Sequence, residues 1–185
     1  MRLTYFAILL LFLLFSSCGS VVRLVYGVKK QDSVTYEEMI RFKNDVISQT
    51  DPVCFAKMGS DADWSVPEAF LFDSEGHAID FRNPDNPGCS APLSNFITNL
   101  QPNQKPIRYG LENMNSLTRS IYPSPCGGSN MMLADADYHL FITWATWTGK
   151  LVYRQRVREW LLAAHQNEQA HIAVYLVNMD QVDCQ

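Results

Sequence analysis

Residues 138–147 read YHLFITWATW, and residues 171–179 read HIAVYLVNM. Both runs are mostly apolar, which is typical of strands buried on both faces of a parallel sheet. Between them, four apolar residues recur with the spacing i, i+3, i+4, i+7 of one buried helix face: Val157, Trp160, Leu161 and Ala164. The order strand, helix, strand predicts a βαβ unit with adjacent, parallel strands and a right-handed crossover.

A strand pair precedes this unit in the chain. Residues 66–73 read VPEAFLFD, an apolar strand entered through Pro67, and residues 77–82 form a second strand after a turn. Gly76 stands in that turn at the position that needs a positive φ. We expect strand 66–73 to lie antiparallel beside the 138–147 strand. We also expect a cis Val66–Pro67 bond, since X–Pro bonds adopt this form at low cost.

Two further helices are predicted from their caps and apolar faces. Thr35 and Glu38 form a capping-box pattern ahead of a helix over about 36–48. Ser90 can cap a helix over 90–100. The apolar face of that second helix consists of Leu93, Phe96, Ile97 and Leu100.

These elements divide the domain, residues 34–185, into three parts. A proline–hairpin–helix half spans 34–100, and a strand–helix–strand half spans 130–185. The connector between them, 101–129, is rich in Pro and Gly, and it has room for a short helix around Leu111, Met114 and Leu117.

The composition excludes several classes of protein. The 185 residues are 47% hydrophobic and 18% charged, which is typical of a globular chain, and the formal net charge is −4. No run of Lys or Arg is long enough to follow a phosphate backbone, so we expect no nucleic-acid partner. The apolar run 5–15 is shorter than the ~20 residues that a membrane-spanning helix needs. It instead fits a secretory signal peptide over 1–17.

Residues 14–19, LFSSCG, resemble the lipobox of bacterial lipoproteins. The resemblance implies cleavage before Cys18, lipid attachment to Cys18 and a tether over 18–33. The protein would then be held on a membrane of the cell envelope, with the outer membrane as our first choice, without a spanning helix. The alternative is ordinary signal cleavage in which Cys18 has no role.

The remaining cysteines are Cys54, Cys89, Cys126 and Cys184. An exported protein can form disulfides, and four cysteines allow three full pairings. Cys54 falls in a short apolar strand over 53–56, which predicts a buried thiol. The four histidines lack the spacing of metal ligands, so we expect neither a metal nor another cofactor.

Residues 144–151, WATWTGKL, resemble the active-site turn of thioredoxins, Trp-Ala-x-Trp-Cys-Gly-Pro-Cys. Residues 177–180 resemble the end of the next parallel strand in that family. Val66–Pro67 with its hairpin and helix resembles the family's cis-proline, antiparallel pair and last helix. The resemblance implies an α/β, thioredoxin-like central mixed sheet flanked by helices. Because the two halves run in the opposite order, it also implies a circular permutation. The alternative is an unrelated α/β domain with a chance match.

The redox positions of that turn carry Thr148 and Leu151, so dithiol exchange cannot occur there. The resemblance implies a peptide-binding groove formed by Pro67, Trp147, Thr148 and Leu151. Strand alternation places Trp144 in the core. We therefore expect a binding module for a polypeptide partner in the envelope.

Two other functions stay open. Cys89 directly precedes the 90–100 helix, whose positive end lowers a thiol pKa, so Cys89 could be the lone thiol of a redox enzyme. We favour the alternative, in which Cys89 is a structural disulfide partner. In a thioredoxin-like layout Cys89 and Cys184 approach the same sheet end, which makes a Cys89–Cys184 bridge our first choice of pairing. A purely structural envelope component is the third possibility.

Overall fold

The computed structural model of the chain describes residues 33–47, 51–57, 64–81, 92–102, 109–128 and 131–183. The predicted signal peptide and the tether as far as residue 32 lie outside these ranges, as do Cys18, Cys89 and Cys184. The expectations for them remain predictions. Within the described ranges, no helix combines the length and hydrophobicity that crossing a bilayer requires.

The described residues contain nine strands. They are β1 (Val34–Thr35), β2 (Val53–Ala56), β3 (Ala69–Asp73), β4 (His77–Ile79), β5 (Tyr109–Asn113), β6 (Ile121–Tyr122), β7 (Tyr138–Trp144), β8 (Ile172–Asn178) and β9 (Val182–Asp183). Seven of them form one mixed sheet in the order β5-β4-β3-β7-β8-β2-β6, and β1 pairs in parallel with β9. The predicted α/β class with a mixed central sheet is therefore confirmed.

Four helical segments accompany the sheet. They are α1 (Tyr36–Val46), α2 (Pro92–Thr98), α3 (Met114–Arg119) and α4, which begins as Lys150–Val152, passes through a π-helical turn at Tyr153–Val157 and continues as Arg158–His165. The predicted capping box begins α1: Glu38 N–H donates to the Thr35 hydroxyl, and the Glu38 carboxylate accepts from Thr35 N–H at 3.0 Å. These two bonds satisfy backbone donors that a helix start otherwise leaves without partners.

The predicted arrangement of the central strands is confirmed. Strands β7 and β8 are parallel, from Tyr138 opposite Ile172 to Trp144 opposite Asn178. On the other side of β7, β3 runs antiparallel, and the peptide bond Val66–Pro67 is cis. Gly76 has a φ of +86°, as its place in the turn between β3 and β4 requires.

Alternation along the strands produces one apolar core on each face of the sheet. On the first face, α1, α2 and α4 pack on Leu71, Leu140, Ile142, Trp144, Val174 and Leu176. On the second face, α3 packs on Cys54, Phe70, Phe72, Phe141, Tyr175 and Val177. The predicted faces of α2 and α4 point into the first core, where Leu93, Ile97, Leu100, Val157, Trp160, Leu161 and Ala164 are buried.

The structure differs from prediction in several places. The strand predicted over 138–147 ends at Trp144, and Thr146–Thr148 form a 3-10 turn. The strand predicted over 77–82 ends at Ile79.

The predicted connector 101–129 contributes β5 and β6, which form opposite edges of the sheet, while the short α3 between them covers the second face. The strand predicted over 66–73 begins only at Ala69. This shift has a local cause. Glu68 N–H donates to the Thr143 hydroxyl at 2.7 Å, so the backbone hydrogen bond to the Thr143 carbonyl that would continue the strand pairing is not made.

Candidate functional site

The candidate site is a turn at the carboxyl end of β7, which we call the 145–149 turn. Thr146–Thr148 form a single 3-10 turn, and Gly149 follows with a φ of +87°. A side chain at that φ would be strained, so glycine is the residue that suits the entry into α4. The turn therefore places residues 146–151 at the end of the sheet where β7 and β8 both finish.

Asp180, just beyond β8, holds this turn. Its carboxylate oxygens accept from Thr146 N–H at 2.9 and 3.0 Å and from the Thr146 hydroxyl at 2.8 Å. The Asn178 side chain donates to the same carboxylate at 2.8 Å. A backbone bond of 2.8 Å from Met179 N–H to the Trp144 carbonyl closes the junction. Three donors, one of them shared between both oxygens, keep the buried Asp180 carboxylate satisfied.

Tyr153, in the π-helical part of α4, hydrogen-bonds to the 145–149 turn and stabilises it. Its hydroxyl accepts from Ala145 N–H at 2.6 Å and donates to the Ala145 carbonyl at 2.9 Å. The Thr148 hydroxyl hydrogen-bonds to Tyr153 and lies 2.9 Å from the Ala145 carbonyl. Burial raises the pKa of the Tyr153 phenol well above its ordinary value. The phenol is therefore a neutral structural partner, not a base.

Pro67 lies at the same sheet end as the turn. In the β3–β7 pair, Ala69 is opposite Ile142, and Thr143 N–H donates to the Glu68 carbonyl at 2.9 Å. Extending this register by two residues sets Pro67 opposite Trp144, next to the first residue of the turn. The structure thus brings the cis-proline to the end of β7 that carries the turn.

The predicted groove residues differ in how much surface they offer. Trp144 is fully buried, as expected. Thr148 is only 4% exposed and its hydroxyl bonds within the turn, whereas Leu151 is 36% exposed. Trp147 is half-buried, and its Nε1 is buried without a hydrogen-bond partner. The apolar surface of this end therefore comes from Leu151 and part of Trp147, while Thr148 lies beneath it.

The described cysteines are in two different states. Cys54 is a free thiol, fully buried in the second core as predicted, and burial raises its pKa to about 12. Cys126 is disulfide-bonded, and since Cys54 is free, its partner lies outside the described residues. The partner of Cys126 is Cys18, Cys89 or Cys184, so a Cys89–Cys184 bridge would leave only Cys18 for Cys126. The predicted Cys89–Cys184 bridge and lipid attachment to Cys18 therefore cannot both hold, and a reactive Cys89 requires that Cys126 pairs with another cysteine.

The residues that fix the site most firmly, Asp180 and Tyr153, were not predicted as site residues. Asp180 carried a usable signal: a carboxylate directly after a parallel strand lies at the sheet end where the preceding strand also finishes. Tyr153 carried none, because its reach to Ala145 depends on the π-helical turn. Among the described residues, no three His, Cys, Asp or Glu side chains are grouped so that they could hold a metal ion.

Comparison with protein-family models, with curated proteins and with solved structures finds no match to this chain. What the 145–149 turn does must therefore be argued from its own geometry.

Proposed function

We propose that this chain is a lipid-anchored protein of the bacterial cell envelope that binds a polypeptide partner at the 145–149 turn. Its domain would be thioredoxin-like, with the elements in circularly permuted order and without dithiol activity. One observation carries the proposal. The cis-proline Pro67 stands beside the end of β7, at a turn whose two redox positions hold Thr148 and Leu151.

The strand pairing supports the thioredoxin-like interpretation. A parallel pair joined by a helix, β7-α4-β8, lies beside an antiparallel hairpin, β3-β4, that is followed by a helix, α2. The proline enters that hairpin next to the turn. These are the parts that the family resemblance requires, with the hairpin half first in the chain.

The chemistry of the turn favours binding over redox exchange. Exchange needs a thiolate to attack and a second sulfur to resolve the mixed disulfide. Thr148 offers only a hydroxyl, which is buried and lies within hydrogen-bond distance of the Tyr153 phenol and the Ala145 carbonyl. The exposed part of Leu151 and the partly exposed Trp147 instead provide an apolar surface for a partner side chain.

The point where the chain enters the domain is compatible with a membrane tether close to this surface. Val34 N–H donates to the Gln181 carbonyl at 2.9 Å, and β1 pairs with β9 directly after Asp180. A tether that ends at Val34 therefore joins the domain beside the residue that holds Thr146. A partner bound there would lie near the start of the tether.

Site-specific photo-crosslinking in intact cells tests the proposal. A photoreactive residue replaces Leu151 in one variant and Leu162 in a matched control. Both positions belong to α4, and their exposures, 36% and 38%, are nearly equal. We expect a discrete polypeptide adduct from position 151 and none from position 162.

The outcomes separate the candidate functions. An adduct at position 151 that persists when Cys89 is changed to Ser supports a binding module. An adduct that requires Cys89 and fails to form when the cells are treated with a reductant before irradiation would favour the thiol enzyme. Equal adducts at both positions, or none at either, would contradict a binding surface at the 145–149 turn.

A further inference from the structure

His139 is a buried titratable side chain at the opposite end of β7 from the 145–149 turn. It stands between Phe72 of β3 and Ala173 of β8 and is only 4% exposed. Its Nδ1 is buried and has no hydrogen-bond partner. A neutral imidazole tolerates this setting far better than a charged one, because burial without a partner penalises charge most.

The ring of His139 stacks on that of Tyr175, with the centroids 6.1 Å apart and the planes 24° from parallel. The Tyr175 hydroxyl accepts from Ala134 N–H at 2.8 Å. Ala134 belongs to residues 131–137, which have no regular secondary structure. Met131 and Leu133 from this segment pack against the second core. Tyr175 therefore connects the imidazole to the segment that covers this part of the sheet.

The charges that face His139 do not compensate its protonation. Burial lowers the His139 pKa most, and the nearby charge of His171 lowers it further, while Asp135 and Asp73 raise it. Asp135 is exposed. Asp73 already accepts hydrogen bonds from Glu75 N–H and His77 N–H at 3.0 and 2.8 Å, and His77 Nδ1 lies 3.2 Å from it. Neither carboxylate is a dedicated counter-ion for a buried imidazolium.

The direction of the pH effect follows from the lowered pKa. An unfolded or expelled histidine takes up its proton near pH ~6.5, earlier on acidification than the buried ring does. The arrangement in which His139 is buried and residues 131–137 cover the second core is therefore most stable above that pH. Its stability decreases as the pH falls from the ordinary histidine pKa to the lowered pKa of buried His139.

We propose that His139 acts as an acid-operated release for residues 131–137. Protonation drives the imidazole out of its place against Tyr175, the Tyr175–Ala134 hydrogen bond is lost, and the segment lifts from the second core. The apolar side chains of Phe141 and Tyr175 then become accessible in mildly acidic surroundings, while the 145–149 turn stays closed.

Cysteine labelling measures this opening directly. Leu133→Cys places a thiol on the half-buried, packed side of the segment, and Met132→Cys places one at its neighbour, which is 92% exposed. The ratio of their alkylation rates cancels the intrinsic pH dependence of the thiol reaction. We expect this ratio to rise about tenfold between about pH 7.5 and 5.5, because one pH unit below ~6.5 changes the proton-linked equilibrium by that factor.

The same ratio in a His139→Phe background should be independent of pH, since phenylalanine keeps the stack on Tyr175 but cannot take a proton. His139→Gln, neutral at both pH values, replaces it if the phenylalanine variant does not fold. A thiol introduced as Ala164→Cys, buried in the first core on the other face of the sheet, reports global unfolding. A rise that persists without His139, no rise in its presence, or an equal rise at position 164 would overturn the proposal.

Discussion

Asp180 binds both polar groups of Thr146. One carboxylate, just past the end of β8, accepts the backbone N–H at 2.9 and 3.0 Å and the hydroxyl at 2.8 Å of a residue just past the end of β7. The two strands are parallel neighbours, so this contact ties together the segments that leave them on one side of the sheet. The backbone pairing of β7 and β8 ends before this point, so side-chain hydrogen bonds from Asp180 hold the 145–149 turn in place.

Asp180→Asn should loosen this turn. The amide nitrogen of asparagine cannot accept a hydrogen bond, and the charge that strengthens the other contacts is lost. We expect the free energy of unfolding in urea to fall by roughly 1.5–3 kcal/mol, the worth of hydrogen bonds to a charged group. Asp183→Asn, at an exposed position of β9, is the control and should change stability little. Equal losses in the two variants would contradict the role given to Asp180.

Tyr153→Phe should weaken the same turn from the helix side. The change keeps the buried ring but removes the hydroxyl that bonds to Ala145 N–H, the Ala145 carbonyl and the Thr148 hydroxyl. Buried groups that lose a partner cost about 1–3 kcal/mol in unfolding free energy. Tyr36→Phe, on an exposed ring, should have almost no effect. A stable Tyr153→Phe protein would mean that the hydroxyl is dispensable.

Long, strongly patterned segments were predictable from sequence, because burial on a sheet selects residue types directly. The apolar runs that became β7 and β8, the capping box of Thr35 and Glu38, and the turn at Gly76 fall where their residues indicate, except that β7 ends at Trp144 and not at Trp147. Each of these signals is local: a helix cap, a glycine in a turn, or an apolar run buried on both faces.

The edges of the sheet were not predictable in the same way. Strand β6 has two residues, Ile121–Tyr122, too few to display a periodicity. It forms because its backbone pairs antiparallel with β2. Likewise, the importance of Tyr153 arises from one π-helical turn that brings its hydroxyl to Ala145. The pairing of β6 with β2 joins distant parts of the chain, and the Tyr153 contact depends on a helix irregularity that residue types alone do not specify.

Cys54 should resist alkylation in the native protein at about pH 8. Its thiol is fully buried, and burial raises its pKa to about 12, so it stays protonated, whereas an unfolded thiol has a pKa of ~8.5. Peptide mass spectrometry should find Cys54 labelled in urea but not in buffer. Cys126 should be labelled only after reduction, because it is disulfide-bonded. Rapid native labelling of Cys54 would show that the second core opens easily.

Cys18→Ser tests the proposed anchor. If acyl chains on Cys18 hold the protein on the membrane, the variant should appear in the soluble fraction or accumulate as an uncut precursor. Fractionation and gel migration of expressed protein measure both results. Cys89→Ser is the matched control and should stay with the membrane. A Cys18→Ser protein that fractionates and migrates like the parent would contradict the lipoprotein interpretation.

Trp147→Phe tests how much the half-buried indole of Trp147 contributes to the stability of the protein. The Nε1 donor is buried without a partner, an arrangement that costs about 1–3 kcal/mol, and phenylalanine removes it. That gain should offset most of the apolar area lost with the larger ring, so we expect unfolding free energy to change by less than ~1 kcal/mol. Trp147→Ala removes the whole ring and should cost about 2 kcal/mol or more. If phenylalanine costs as much as alanine, the indole N–H has a stabilising partner in solution. If both variants are as stable as the parent, Trp147 contributes no packing, and a role in binding becomes the reason for an indole at this position.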